Sequence, residues 1–442
     1  MTPQASAASL FDRPADLLQR LIQFDTSNPP GNELECIQYI RSLLEAEGIS
    51  CQILARDPER PNLIARLRGE GRAAPLLLYG HIDVVPTAGQ AWSVPPFEGR
   101  ISGGYLWGRG ALDMKSGVAM MLAAVLRAKH TGAALPGDVV FAVVSDEEAL
   151  GTLGARFLVE EHAAEFAGIR YALGEFGGFS LGIAGKRFCP IQVAEKQACW
   201  MRATLRGPGG HGSMPVRRGA MAKLARFLTQ LDRQRLPVHI TPAARVMFQT
   251  ISSAIGGVQG LVLGQLLNPR LADRVLDLLG AQSRTFDPLL HNTVSPTVLQ
   301  GSAKINVIPG QVTVELDGRL LPGYQPADLL AELRDLAGPD VEFEILQFDP
   351  GPAEPDMGLF DTLAGVLREA DPAAIVAPLM LSGTSDARFF SRLGIQTYGF
   401  TPMQLPADFR FVDVIHGADE RIPVDAPAYG ADAVYRVLQR FG

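Results

Sequence analysis

Basic residues are not in excess in this 442-residue sequence: 40 Lys and Arg stand against 47 Asp and Glu, a formal net charge of −7. That balance excludes the broad cationic face that nucleic acid or an anionic membrane surface would need. Cysteine is scarce. Cys36, Cys51, Cys189 and Cys199 form no C-x-x-C pair, and four cysteines in so long a chain make no disulfide framework, so buried free thiols are expected. No apolar run reaches the roughly 18 residues of a membrane helix. The opening MTPQASAASLFDRPADLL has no basic segment followed by an apolar one, so no secretory signal is read and the cytoplasm is the expected compartment. Internal repeats and low-complexity tracts are absent as well.

What is present is globular material: 47% apolar and 20% charged residues, in a chain too long for one ordinary core. Two or three domains are expected. Leu17, Leu18, Leu21 and Ile22 recur at helical spacing, as do Leu34, Ile37, Ile40 and Leu44. Short apolar runs follow in CQILAR, NLIARLR and PLLLYG. KSGVAMMLAAVLRAKH from Lys115 reads as a buried helix. DVVFAVVSDEE from Asp138 reads as a buried strand, with a helix through Ala155–Glu161, and IRYALGEFGG from Ile169 as another strand. Buried strands alternating with helices predict an α/β sheet.

Near Cys189 the texture changes. QVAEKQACWMRATLRG and QVTVELDGRLLPG alternate as half-exposed strands do, with helical stretches around Ala220–Leu231 and within Leu261–Leu279 between them. After DVEFEILQF, the loop DPGPAEPD reads as a return linker and the α/β texture resumes. The expected organisation is a discontinuous catalytic domain, 1–189 and 350–442, with a smaller α+β domain, 190–349, inserted into it.

Five segments place metal-type ligands at strand ends or loops. In GHIDVVP, His81 can bind a metal through one ring nitrogen, and Asp83 can orient it. In GRGALDMKSG, Asp113 can bridge two cations, although helix N-capping is the commoner work of such an Asp. SDEEALG sets Asp146, Glu147 and Glu148 side by side after an apolar run. That is either a solvated loop, or one carboxylate on a metal beside another that takes a proton from metal-bound water. Glu175 ends an apolar strand in ALGEFGG, and His416 lies in VIHGADE. Each alone is weak. As a set, His, Asp, Glu, Glu and His suit a borderline or hard dication without thiolate. Two dications against Asp113, Glu148 and Glu175 leave one positive charge, which one bridging hydroxide balances.

At these residues the chain resembles a dinuclear-zinc peptidase and deacylase family. Its members include aminoacylase, acetylornithine deacetylase, succinyl-diaminopimelate desuccinylase, glutamate carboxypeptidase and carboxypeptidase S. GHIDVVP, GRGALDMKSG, DEEALG, GGHGSMP and VIHGADE occur in the family's order, from about Leu17 to the end of the chain. The resemblance implies an α/β/α catalytic domain with an inserted ferredoxin-like lid and dimerisation domain. It implies that His81, Asp113 and Glu175 hold one zinc, and that Asp113, Glu148 and His416 hold the other, with cobalt or manganese as alternatives. Glu147 is then the general base with Asp83 beside His81, and the peptide bond after Asp113 is cis. Glu as the Glu175 ligand looks like the aminoacylase and carboxypeptidase side of the family. In GPGGHGSMP, His211 is implied to reach the partner subunit's site and support the oxyanion. Asn306 in KINVIPG, Arg319 in ELDGRLLPG and Gly383 in LSGTSDARFF are implied to bind the substrate, with Arg319 on its carboxylate. Thr384 and Ser385 stand where many members carry Gly-Thr. The segment from about Ala243 to Asn292 is longer than in compact members and could reshape the pocket or the dimer contact.

The expected function is metal-dependent hydrolysis of an N-acyl-amino acid or a C-terminal peptide bond, by a homodimer acting on a small amino-acid-derived or peptide substrate. A dipeptidase, or a deacylase of the desuccinylase or acetylornithine deacetylase kind, is the alternative. A metal-binding protein without catalysis is a reading from another class, disfavoured because Glu147 and all five ligand positions are intact. A serine hydrolase fits poorly, because Ser213 lacks the strand–elbow–helix context of a nucleophile.

Overall fold

A computed structural model describes residues 10–442, so half of the N-terminal stretch read for a secretory signal lies outside the described residues. The chain divides into two compact units. One holds the chain up to Val193 together with Asp356–Leu379 and Ser385–Gly442; the other holds Ala194–Pro355 and Met380–Thr384.

In the first unit, helices α1 (Pro14–Ile22) and α2 (Leu34–Ala46) bury the leucines and isoleucines whose spacing marked them as amphipathic. Strands β1 (Cys51–Leu54), β2 (Asn62–Leu67) and β3 (Leu76–His81) follow, then α3 (Lys115–Thr131), β4 (Val139–Val144), α4 (Ala155–Glu161), β5 (Tyr171–Gly174) and β6 (Lys186–Glu195). Every residue of β3 and β4 is buried, as expected of strands covered on both faces. α3 is buried along nearly its whole length and ends at Gly132, whose φ of 62° gives the left-handed turn that closes a helix.

The second unit contributes β7 (Gln197–Arg206), α5 (Ala220–Arg233), α6 (Pro242–Ile255), α7 (Gly257–Gly264), α8 (Ala272–Leu279), β8 (Thr293–Gln300), β9 (Gln311–Leu320), α9 (Pro326–Ala337) and β10 (Val341–Phe348). The strands of its main sheet order as β8-β9-β7-β10, all neighbours antiparallel. That is the ferredoxin-like β-α-β-β-α-β arrangement, with the long helical segment α6–α8 spliced in before β8. Alternate residues of β7 and β9 are buried, and Met201, Leu205, Phe227, Leu316, Leu329 and Leu333 share one core.

The chain then returns through α10 (Phe360–Ala370), β11 (Ile375–Leu381), β12 (Gln396–Gly399) and α11 (Ala426–Leu438). The large sheet orders as β1-β2-β4-β3-β5-β12-β6-β11. Its centre is parallel: β3 runs with β4 and β5, and β12 with β5. β6 spans the place where the texture changes, and the first unit runs to Val193. Phe188, Cys189 and Ile191 are buried in the large sheet, so Cys189 lies inside a strand of the first unit rather than at a junction. Among the described residues no helix is long and apolar enough to cross a membrane.

β12 passes very close to the end of β5. A Cβ on Gly399 would lie 2.0 Å from the Phe176 carbonyl oxygen and 2.3 Å from that of Glu175. Gly399→Ala must push backbone against backbone and is expected to cost about 1–3 kcal/mol, read as a lower urea midpoint. Gly365→Ala, at a helical site with nothing within 4 Å, is the control and should gain about 1 kcal/mol.

Candidate metal centre

Three parallel strands deliver chemistry to one edge. His81 is the last residue of β3, Glu147 and Glu148 occupy the turn after β4, and Glu175 follows β5. Carboxyl ends of parallel strands are where open α/β sheets bind ligands, because the chain leaves the sheet there in loops. Asp113 lies two residues before α3 and is followed by a cis Asp113–Met114 peptide bond. His416 comes from the loop before α11.

These residues converge. His81, Asp113 and Glu175 form one group, and Asp113, Glu148 and His416 another, with one ligand atom from each residue within 4.8 Å of the others. Asp113 is shared: Oδ1 is 3.1 Å from Nε2 of His81, and Oδ2 is 3.0 Å from Nε2 of His416. Nε2 of His81 is also 3.4 Å from Glu175, and Nε2 of His416 is 3.2 Å from Glu148. One carboxylate thus faces two separate clusters through its two oxygens, the geometry of a bridge.

The electrostatics call for positive charge. Burial pushes the Glu175 carboxyl up to about 8, against the pull of His81. Burial, with Glu175 nearby, holds Glu147 well above the usual carboxylate range, and burial also raises Glu148. Hydrogen bonds to Asp113 and Glu148 lift His416 to about 10. Asp113 is buried too, yet the two imidazoles hold it below the ordinary range. Without cations, protons carry the compensation; two dications would replace them. The donor set, two imidazoles and three carboxylates with no thiolate, fits that replacement.

The first ligand is held from behind. Nδ1 of His81 is 3.0 Å from the Asp83 carbonyl oxygen and 3.4 Å from the Asp83 carboxylate. That carboxylate accepts hydrogen bonds from the backbone N–H groups of Glu147 and Glu148, at 3.1 and 3.0 Å, and from the Asn28 amide at 2.8 Å. Asp83 therefore fixes the acidic turn as well as the imidazole. These contacts run to the imidazole, the acidic turn and Asn28, the geometry of a group that orients its neighbours.

Several supporting residues carried no recognisable signal in sequence. Asp146, the first acid of the SDEE run, is a tie and belongs to neither ligand group. It accepts from Arg60, Asn28, Thr152 and the Leu153 N–H, all between 3.0 and 3.2 Å. Arg60 in turn donates twice to Glu33, which is fully buried. A second tie pairs buried Arg109 with buried Glu420 at 2.5 Å. Glu420 also accepts from the N–H groups of Leu112 and Asp113, while Arg109 donates to the His416 carbonyl. That pair binds the bridge to the His416 loop, and both residues sit inside segments already quoted, GRGALDMKSG and VIHGADE. Asp386 is buried with neither carboxylate oxygen hydrogen-bonded among the described residues, and burial pushes it up to about 7.

The remaining site residues lie in the second unit. His211 pairs across a two-residue ladder with Val307, and the Asn306 carbonyl accepts from Gly212 N–H at 2.8 Å. Nδ1 of His211 accepts from the Ser213 N–H at 3.2 Å and lies 2.7 Å from the Ser213 hydroxyl. Arg319 donates through Nε and Nη2 to Asp317 and through Nη1 to Thr384, next to Gly383. Its Nη1–Nη2 edge keeps two N–H donors beyond these bonds.

Comparison with known proteins decides the family. The family model described as Peptidase family M20/M25/M40 matches residues 77–440. The chain belongs to this family. An M20-family chain of this kind is a metallohydrolase of amide bonds. It is 29% identical over 362 residues to N-fatty-acyl-amino acid synthase/hydrolase PM20D1 of Xenopus tropicalis, covering 80% of this chain and 69% of that protein. It is 28% identical over 452 residues to succinyl-diaminopimelate desuccinylase of Paracoccus denitrificans (strain Pd 1222), covering 97% of this chain and 98% of that one. The M20 family metallo-carboxypeptidase Sso-CP2 of Sulfolobus solfataricus shares its fold with a TM-score of 0.72 at 17% identity, covering 97% and 99%.

Two outcomes test the centre. Arg60→Met leaves Glu33 and Asp146 buried without their cation and is expected to cost about 3–5 kcal/mol, read by chemical denaturation of the metal-free protein. Because His416 and Glu175 are raised in the metal-free protein, ligation at pH 7 must release protons. Affinity should rise with pH between 6 and about 8, and calorimetry in buffers of different ionisation enthalpy should show net proton release.

Proposed function

We propose that this M20-family chain hydrolyses the amide bond of an N-acyl-amino acid or the last peptide bond of a small peptide. The shared Asp113 between two ligand clusters, beside a half-buried Glu147 that belongs to neither, is the observation that carries this reading. We assign His81, Asp113 and Glu175 to one dication and Asp113, Glu148 and His416 to the other, with zinc favoured by the imidazole–carboxylate donor set.

A bound pair of dications supplies Lewis acidity, polarising the scissile carbonyl and acidifying the attacking water. Glu147 takes the proton from that water on a carboxylate oxygen and passes it to the leaving nitrogen. Its upward shift in the buried site favours a group that both accepts and releases a proton near neutral pH. Asp83 acts through His81 and the Glu147 turn. An acceptor Nδ1 on His211 leaves Nε2–H as a donor, which suits support of an oxyanion. Arg319 and Asn306, with the amides around Gly383, read the substrate's free carboxylate. Asp317 pins one edge of the Arg319 guanidinium and so pre-sets the other.

The second unit is assigned a dimerisation role as well. β8 is an edge strand of its sheet, with Val298 and Leu299 exposed, and an open apolar edge of this kind invites pairing with another copy. All four cysteines are free thiols, which suits a reducing compartment such as the cytoplasm.

The test is turnover of a panel of N-acyl-amino acids and dipeptides by the metal-loaded protein. Wild type should cleave some members and lose activity to a chelator. Glu147→Ala should keep both metals by elemental analysis while kcat falls by about 10²–10⁴. A variant that turns over like wild type removes Glu147 as the base. Wild type that binds two metals and cleaves nothing moves the chain to the binding-protein reading.

A further inference from the structure

Lys196 is a buried lysine that neither ligand cluster uses. It lies just before β7 in the second unit and is 1% exposed. Its ammonium donates to the His291 carbonyl at 2.9 Å and to the Thr293 hydroxyl at 2.8 Å, both neutral acceptors. Thr293 pairs directly with Arg319 across β8 and β9, and cross-strand neighbours stand on one face of a sheet. The ammonium therefore reaches the face that carries Arg319 and, two residues earlier on β9, Asp317. The segment Met380–Thr384 meets both residues. The Leu381 carbonyl accepts from the Lys196 backbone N–H at 3.1 Å, and the Thr384 hydroxyl accepts from Arg319 at 3.0 Å.

The acids around Lys196 are committed elsewhere. Asp317 faces it from β9 but accepts twice from Arg319 and once from the Trp200 indole. Asp287, in the turn before His291, pairs with Arg235 and with the His291 ring. Glu332 of α9 pairs with His239 and accepts from Asn292. Among the described residues no carboxylate forms an ion pair with Lys196. A buried ammonium without a counter-ion is costly. Burial, with the Arg319 charge nearby, pushes Lys196 down to about 7. Arg319 is in the reverse position. Asp317 already balances its charge, so an arriving carboxylate finds hydrogen-bond donors there but no net positive charge.

We infer that Lys196 is the counter-charge of the substrate's free carboxylate, a positioning residue that acts through Arg319, whose donors hold the anion that the buried ammonium lacks. The inference rests on the proposal above that Arg319 reads this carboxylate. It adds a condition: the site holds the anion well only while Lys196 is protonated. In the free protein Lys196 is charged below about pH 7, and a bound carboxylate raises that value. Between the two values binding takes up a proton, so KM rises with pH there by up to about tenfold per pH unit. The sign is opposite to that of metal ligation, which releases protons.

The experiment measures KM and kcat of the metal-loaded protein from pH 6.5 to 9 on the panel member it cleaves best. Wild-type KM should rise about tenfold or more across this range. Lys196→Arg, charged throughout, should keep KM low and flat. Lys196→Met should be flat as well, but about tenfold or more above wild type at pH 6.5. All three proteins share the metal centre, so its own titration cancels in the comparison. A wild-type rise that persists in Lys196→Arg, or a Lys196→Met KM equal to wild type at pH 6.5, overturns the inference and leaves the hydrolase reading intact. If neither variant folds, wild type decides on the same substrate with its free carboxylate converted to the carboxamide. KM for the carboxamide should stay flat, and a parallel rise overturns the inference. Absence of turnover across the panel sinks the hydrolase reading instead, and equilibrium dialysis of N-acetylglycine then decides Lys196. Its affinity should fall above pH 7 for wild type and hold for Lys196→Arg; no binding, or equal pH dependence in the two proteins, overturns the inference.

Discussion

Concentrated negative charge at the apolar rim of a buried sheet is the constraint around which the first unit is built. Asp113, Glu147, Glu148, Glu175 and Asp386 gather where β3, β4 and β5 end, and these strands are buried on both faces. Burial opposes ionisation of each of them. Only compensation keeps such a cluster folded. Part comes from His81 and His416 within the cluster. The remainder falls to dications, and in their absence to protons.

Further compensation stands one layer back, where Glu33–Arg60–Asp146 and Arg109–Glu420 pair charges fully inside the protein. These pairs are weak arguments for net stability, since desolvation offsets much of their attraction. Their value lies in direction. One orients the acidic turn through Asp146, and the other ties the Asp113 turn to the His416 loop. The loops at this rim have little regular structure of their own, and hydrogen-bonded charges give them a single arrangement.

Much of this was legible in the sequence, for identifiable reasons. Continuous apolar runs such as VVFAVV mark strands covered on both sides, and a polar ligand at the end of each run marks the rim. The ligand positions His81, Asp113, Glu148, Glu175 and His416 stand out because their residue types are out of place beside apolar strands. Arg60, Glu33 and Asn28 do not. Each sits in a polar loop or at a helix end, where such residues are ordinary, and only the tertiary fold carries them inward. Asp146 is silent in another way: in a run of three acids nothing local says which one turns away from the centre.

The ligand order along the chain has a consequence for how the protein is made. Four of the five candidate ligands lie within the first 175 residues, whereas His416 follows the entire inserted unit. The centre of the large sheet is likewise incomplete until β12 joins β5. During synthesis the N-terminal part of the chain emerges first and waits. A nascent chain can assemble one candidate ligand cluster early, but the second stays open until the chain beyond the inserted unit has been made. Formation of both candidate groups thus waits for the segment after the inserted unit, and a ribosome that stalls in that unit releases a fragment lacking His416.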